Sequence, residues 1–226
     1  MFKKRKKNDS PSPSPAVTHF PSPILKQKER RSNEEKKHLI AEHFRQIMEI
    51  LGLDLTDDSL IKTPERIAKM YVEEIFSGLD EANFPSVSFF KDEMHHEHKP
   101  NIVFIKVGFT SFCEHHFVPM MGFAYVAYLP GEKLIGISKI PRVVRYFASR
   151  PQLQERLTAQ IADSLAILLE SNDIAISIHA RHFCVMARGV QDENSEMISN
   201  VLRGQFSSNE QLRREFFEGI SRENLK

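Results

Sequence analysis

Long apolar runs are missing from this 226-residue chain. None approaches the roughly 18 consecutive apolar residues of a membrane-spanning helix, which excludes a helical integral membrane protein. Cysteine is scarce: Cys113 and Cys184 are too few for a disulfide scaffold. No apolar signal-peptide core follows the early lysines, so a reducing, cytoplasmic compartment is expected. No internal repeat of solenoid length is present, and no G-x-x-x-x-G-K loop, so a bound nucleotide would have to be held by side chains. Net charge is also low, at +1 from 31 Lys+Arg against 30 Asp+Glu. That balance hides an asymmetry. Residues 1–31 carry nine basic and two acidic side chains, and the remaining 195 carry 22 basic and 28 acidic, a net of −6. A body of that sign is a poor nucleic-acid binder.

With 41% hydrophobic and 27% charged residues, the composition is that of a globular protein. Its length suggests one domain plus extra sequence. The extra sequence is residues 1–31, which hold five of the twelve prolines, three of them in Ser10-Pro11-Ser12-Pro13-Ser14-Pro15. Such a segment has too little apolar surface to offset its chain entropy, so a disordered basic tail is expected before a folded domain over 32–226. Ser32 and Glu35 have capping-box spacing, and Ile40, Phe44, Ile47, Met48 and Leu51 mark one helical face before Gly52. A second helix should run from Thr63-Pro64, with Thr63 as its cap, to about Phe76. Residues 101–110, 121–129, 134–138 and 174–185 read as strands. Helices are expected after Pro141, near 152–170, and from a Ser207/Glu210 capping box. Helices in pairs around antiparallel strands make an α+β domain.

The chemistry concentrates in Cys113-Glu114-His115-His116, read as a loop between two strands. The two-residue gap between Cys113 and His116 lets a tight turn aim both at one metal ion. If 174–185 is a strand, period 2 puts His182 and Cys184 on one face. Thiolate and imidazole donors suit zinc, and three protein ligands leave a fourth position for water, as catalytic rather than structural sites do. Two isolated cysteines also suit buried small hydrophobes or a single disulfide. A second cluster, His95-His96-Glu97-His98, reads as a solvated loop. Lys139, Arg142, Arg188, Arg66 and Lys69 recur around the presumed site, and converging Arg and Lys suit a polyphosphate.

Residues from about 35 to 221 resemble GTP cyclohydrolase I, which converts GTP to 7,8-dihydroneopterin triphosphate and formate in the first step of pterin biosynthesis. The likeness rests on five blocks in order: Thr63 to Met70, Cys113 to His116, Gly136 to Ile140, Arg150 to Thr158, and His182-Phe183-Cys184 with Arg188-Gly189-Val190. It implies Cys113, His116 and Cys184 as zinc ligands, and His115 and His182 as catalytic histidines. It implies Glu155, with Gln154 beside it, as the guanine-holding pair. Ser138, Lys139, Arg142, Arg188, Arg66 and Lys69 match triphosphate and ribose positions. The implied fold is the tunnelling type, an antiparallel sheet with helices on one face, assembled as a homodecamer with active sites at subunit boundaries. Pro141 and the stretch 194–203, which is poorer in Ser and Thr than this region of the family often is, depart from the usual family pattern. A nitrile reductase of the same fold would need a cysteine nucleophile but no Cys-x-x-His pair. A non-catalytic zinc-stabilised regulatory protein would fill all four metal positions and have no use for His115, His182 and Glu155 together.

Overall fold

The computed structural model describes residues 22–25, 30–91, 102–131 and 133–224. The His95–His98 cluster and most of the basic tail lie outside them. Helix α1 (Asn33–Ile50) opens as its capping box predicts, with Ser32 Oγ accepting from the Glu35 N–H at 3.2 Å. It ends before Gly52, whose φ of +81° turns the chain away. Helix α2 (Thr63–Lys69) takes Lys62 rather than Thr63 as its cap and continues as a π-helical stretch, Met70–Ile75. The chain then crosses Gly78, where a Cβ would lie 2.0 Å from the Tyr146 carbonyl oxygen. That close approach lets the Gly78 N–H reach Ser149 O at 2.9 Å and its carbonyl accept from Arg150 Nε at 2.8 Å.

The main sheet has five strands in the order β5-β2-β3-β6-β7: β2 (Val103–Cys113), β3 (Pro119–Tyr128), β5 (Pro151–Gln152), β6 (Ile174–His182) and β7 (Met197–Leu202). All its pairings are antiparallel except β5 with β2. A separate ribbon pairs β1 (Phe89–Lys91) with β4 (Lys133–Ile135). Strand alternation sends Ala124, Val126 and Tyr128 of β3 to one face, where α3 (Lys139–Ala148) and α4 (Gln154–Leu169) cover them. Leu157, Ile161 and Leu165 of α4 are fully buried there, each worth about 1.5–3 kcal/mol of transfer free energy. Tyr125, Ala127 and Leu129 point the other way, under Phe206, Phe216 and Ile220. These come from the short helix α6 (Gln205–Ser208) and from α7 (Glu210–Asn224). The expected α+β fold with its helices mainly on one face is present, and α7 adds cover at one end of the opposite face.

Several boundaries differ from the sequence reading. Strand β6 stops at His182, and Phe183–Met186 form a short helix, α5, so Cys184 does not follow His182 by strand alternation. The cap of α7 is Asn209, whose Oδ1 accepts from the Gln211 N–H at 2.9 Å, rather than Ser207. Cys113 is the last residue of β2 and not a loop residue. Ordered contacts also begin before Ser32. Ser22 Oγ accepts from Gln160 Nε2 at 2.6 Å, and Arg30 donates to Leu25 O at 2.9 Å and Leu79 O at 3.3 Å.

Candidate metal centre and active site

The turn after β2 is built to bring His116 back over Cys113. The Cys113 N–H donates to Val118 O at 2.9 Å, and the Cys113 carbonyl accepts from the Phe117 N–H at 2.8 Å. Closing so tight a turn places Phe117 at φ +54°, a left-handed conformation uncommon for a bulky residue. The Glu114 N–H donates to Gln152 O at 3.0 Å, and the Glu114 carboxylate is gripped through both oxygens by Arg156. The forked pair fixes the turn to the start of α4 with two parallel donors. Spacing alone did not single out Arg156, because a charged residue in the first turns of a helix is ordinarily solvated.

Cys184 arrives from the other side, in the first turn of α5. Cys113 Sγ, a His116 ring nitrogen and Cys184 Sγ lie within 4.8 Å of one another, with Cys113 buried and Cys184 half-buried. Desolvation pushes the Cys184 thiol up, and Cys113 beside it pushes it further. Two thiols this close resist joint ionisation unless a cation sits between them. Two sulfurs and an imidazole are the donor set of a borderline-soft divalent ion, so the residues fit a metal site. Arg188 joins this cluster, with Nη1 3.0 Å from His116 Nε2.

His182 closes β6 beside it. Burial pulls its pKa down, against a smaller upward pull from the carboxylate of Glu155, which is exposed in the first turn of α4. The His182 Nε2 lies 2.8 Å from Gln154 Oε1. Gln154 itself is 1% exposed, and its amide nitrogen faces Ile178 O, Met197 O and Ser199 Oγ at 2.9–3.1 Å. The Gln154 side chain thus bridges His182 and the acceptors that strands β6 and β7 offer its amide nitrogen. His115 is exposed and lines a cavity of about 520 Å³ with Glu114, Phe117, Arg150, Pro151 and residues 22–25.

The remaining cations are more scattered. Ser138 is exposed at the N-cap of α3, and Lys139 follows it. Arg142 lines a groove with Ser77, Asn83, Arg145 and Ser149. Lys69 lines another between α1 and α2, with Glu34, Lys37 and Glu73, and Arg66 is exposed on α2. Of the residues matched to the triphosphate and ribose, Arg188 is the one that hydrogen-bonds a residue of the Cys113, His116 and Cys184 cluster among the described residues.

No helix among the described residues is long and apolar enough to cross a membrane. The family model of GTP cyclohydrolase I matches residues 40–221. GTP cyclohydrolase 1 of Photobacterium profundum is 53% identical over 189 residues, covering 84% of this chain and 86% of its own. The Vibrio cholerae protein of that name is 53% identical over 187 residues, covering 82% and 85%. That of Enterobacter sp. is 50% identical over 192 residues, covering 85% and 86%. Among solved structures, the archaeosine synthase QueF-Like in its apo form aligns with 46% of this chain and 95% of its own, at 16% identity and a TM-score of 0.38. By the family match and by identity sustained along its length, the chain belongs to the GTP cyclohydrolase I family.

Proposed function

We propose that this chain converts GTP to 7,8-dihydroneopterin triphosphate and formate, with zinc held by Cys113, His116 and Cys184. The observation that carries the reading is the meeting of these three donors within 4.8 Å, with His182 at the adjoining strand end. Zinc bound there supplies a nucleophile at neutral pH by lowering the pKa of water to about 7.

The protein's own residues do the rest. Glu155 accepts from the N1–H and the exocyclic amino group of guanine, two neighbouring donors that one carboxylate takes together. His115 gives a proton to the five-membered-ring nitrogen as water adds at carbon 8, so the ring opens to a formamide. A second hydration releases formate. His182 carries protons during ribose opening, rearrangement and closure of the new six-membered ring, for which an imidazole able to give and take protons is suited. Ser138, Lys139, Arg142, Arg188, Arg66 and Lys69 meet the triphosphate and ribose. Neighbouring copies supply part of the phosphate contacts in this reading, as in the family's decamer. The setting is the cytoplasm, where thiols stay reduced.

The test is to incubate zinc-loaded protein with GTP and assay formate together with a pterin made fluorescent by oxidation. Stoichiometric appearance of both is expected; GTP recovered intact from protein carrying one zinc per chain would refute the assignment.

A further inference from the structure

The direction of one buried amide decides which nitrogen of His182 works. Ile178 O and Met197 O, 3.0 and 2.9 Å from Gln154 Nε2, are carbonyl oxygens that can only accept. The Gln154 nitrogen must therefore face them, and its oxygen must face His182, 2.8 Å away. Two hydroxyls lock that orientation. Thr158 Oγ1 donates to the Gln154 backbone carbonyl at 2.7 Å, which leaves the Ser199 hydroxyl to donate to Thr158 at 2.6 Å. Ser199 Oγ then has its lone pair free for the Gln154 amide at 3.1 Å. The two amide protons serve three acceptors, so the Ser199 contact shares a proton with one of the carbonyls, and turning the amide over would set its oxygen against both carbonyl oxygens. Gln154 and Thr158 are each 1% exposed, so water is poorly placed to substitute for a lost partner.

We infer that Gln154 is a positioning residue: through the Thr158–Ser199 relay its side-chain oxygen accepts from His182 Nε2–H, and His182 exchanges protons through Nδ1. The inference deepens the cyclohydrolase reading and rests on His182 being its proton carrier. It also gives Ser199, in a stretch that departs from the usual family pattern, a defined task. A neutral imidazole donates from one nitrogen and accepts at the other, so an acceptor on Nε2 leaves the Nδ1 lone pair to take a proton from the reacting ribose chain and return it. Gln154 would then set the rate of proton transfer and contribute little to holding GTP.

The experiment uses zinc-loaded full-length protein labelled with 15N-histidine, with the His182→Asn spectrum identifying the signals of His182. A protonated, pyrrole-type Nε2 and an unprotonated Nδ1 are expected near neutral pH; the opposite pattern would overturn the positioning claim in the parent protein, whatever the variants do. Gln154→Met keeps the shape and removes the amide oxygen and nitrogen together. It should keep its zinc and lose about tenfold or more in kcat, a fraction of the 10²–10⁴ of general acid–base catalysis, with KM for GTP within about twofold. A raised KM at unchanged kcat would overturn the inference in favour of a substrate contact. Parent-level kcat in His182→Asn would instead refute the underlying role of His182, an outcome separate from the tautomer result.

Discussion

The two poles of the site are built differently. Around Cys113, Cys184 and His182, side chains are supported by buried partners on β2, β5, β6, β7 and α4, and one chain suffices to bring them together. Arg188 aside, the cations expected to meet the triphosphate stand on α2 and α3, with Arg66, Lys69 and Arg142 exposed and Lys139 half-buried, and Lys69 and Arg142 line separate grooves. Proton transfer tolerates little misplacement and needs rigid support, whereas a triphosphate offers dispersed charge that long, solvated side chains can meet from several directions. In the proposed reading the phosphate site is completed at a boundary between copies, while the chemical pole is built within one chain.

The largest expected effect falls on the rigid pole. Cys113→Ser or Cys184→Ser removes one of three protein ligands, so zinc should fall well below one per chain and GTP turnover to background, because metal binding couples directly to the ligand set. Full turnover in protein shown to be metal-free would remove the metal from the mechanism. Next is Glu155→Ala. Hydrogen bonds to a charged group are worth about 1.5–3 kcal/mol, so kcat/KM for GTP should drop about 10- to 150-fold with zinc retained. ATP should not be turned over by the parent enzyme, since adenine puts a lone pair where guanine has N1–H. A Glu155→Ala protein with parent kcat/KM would return Glu155 to the solvated surface of α4.

The scattered pole can be tested by mixing. A Cys113→Ser chain keeps its cations, and a Lys139→Glu, Arg142→Glu chain keeps its metal ligands, so each alone should be nearly inactive. Dissociated and reassembled together they should recover a measurable part of the parent activity, since some boundaries then join two intact poles. Absence of recovery, with mixed assemblies shown to form, would mean that both poles are used within one chain.

Much of the architecture is legible from local rules because local rules dominate there. The capping box at Ser32, the apolar face of α4 and the alternation along β3 each follow from short-range periodicity. The meeting of the candidate metal ligands is legible for a partly mistaken reason. Period 2 was expected to carry the strand through Cys184, yet the chain turns helical at Phe183 and delivers the sulfur by a tight turn. Strand β1 is three exposed residues and shows no pattern to read, and β7 hides because its polar positions, Ser199 among them, serve the relay behind Gln154. What sequence spacing could not express is direction: the left-handed Phe117, the grip of Arg156 on Glu114 and the facing of the Gln154 amide arise only when distant segments meet.

The smallest expected effect concerns the N-terminal segment, which borders the rigid pole. Residues 1–31 lie outside the family match, which begins at residue 40, and no apolar periodicity gives them a core of their own. Ser22 nevertheless accepts from Gln160, which is 1% exposed and whose Oε1 also accepts from Gln152 Nε2 at 2.8 Å. The segment thus touches the network beneath the turn that carries His115. Among the described residues, deleting 1–31 removes the Ser22–Gln160 hydrogen bond, the Arg30 contacts with Leu79 and Glu81, and the exposed Arg31–Glu35 pair. A neutral bond is worth about 0.5–1.5 kcal/mol net, and water can reach the vacated edge of the cavity. The truncated protein should therefore lose no more than about 1–2 kcal/mol in denaturant unfolding and keep kcat within about twofold of the parent. Because the contact is with the support of the turn and not with the metal ligands, zinc content should not change. A several-fold change in kcat at unchanged stability would show instead that the segment acts on the His115 cavity directly, and would extend the rigid pole to include it.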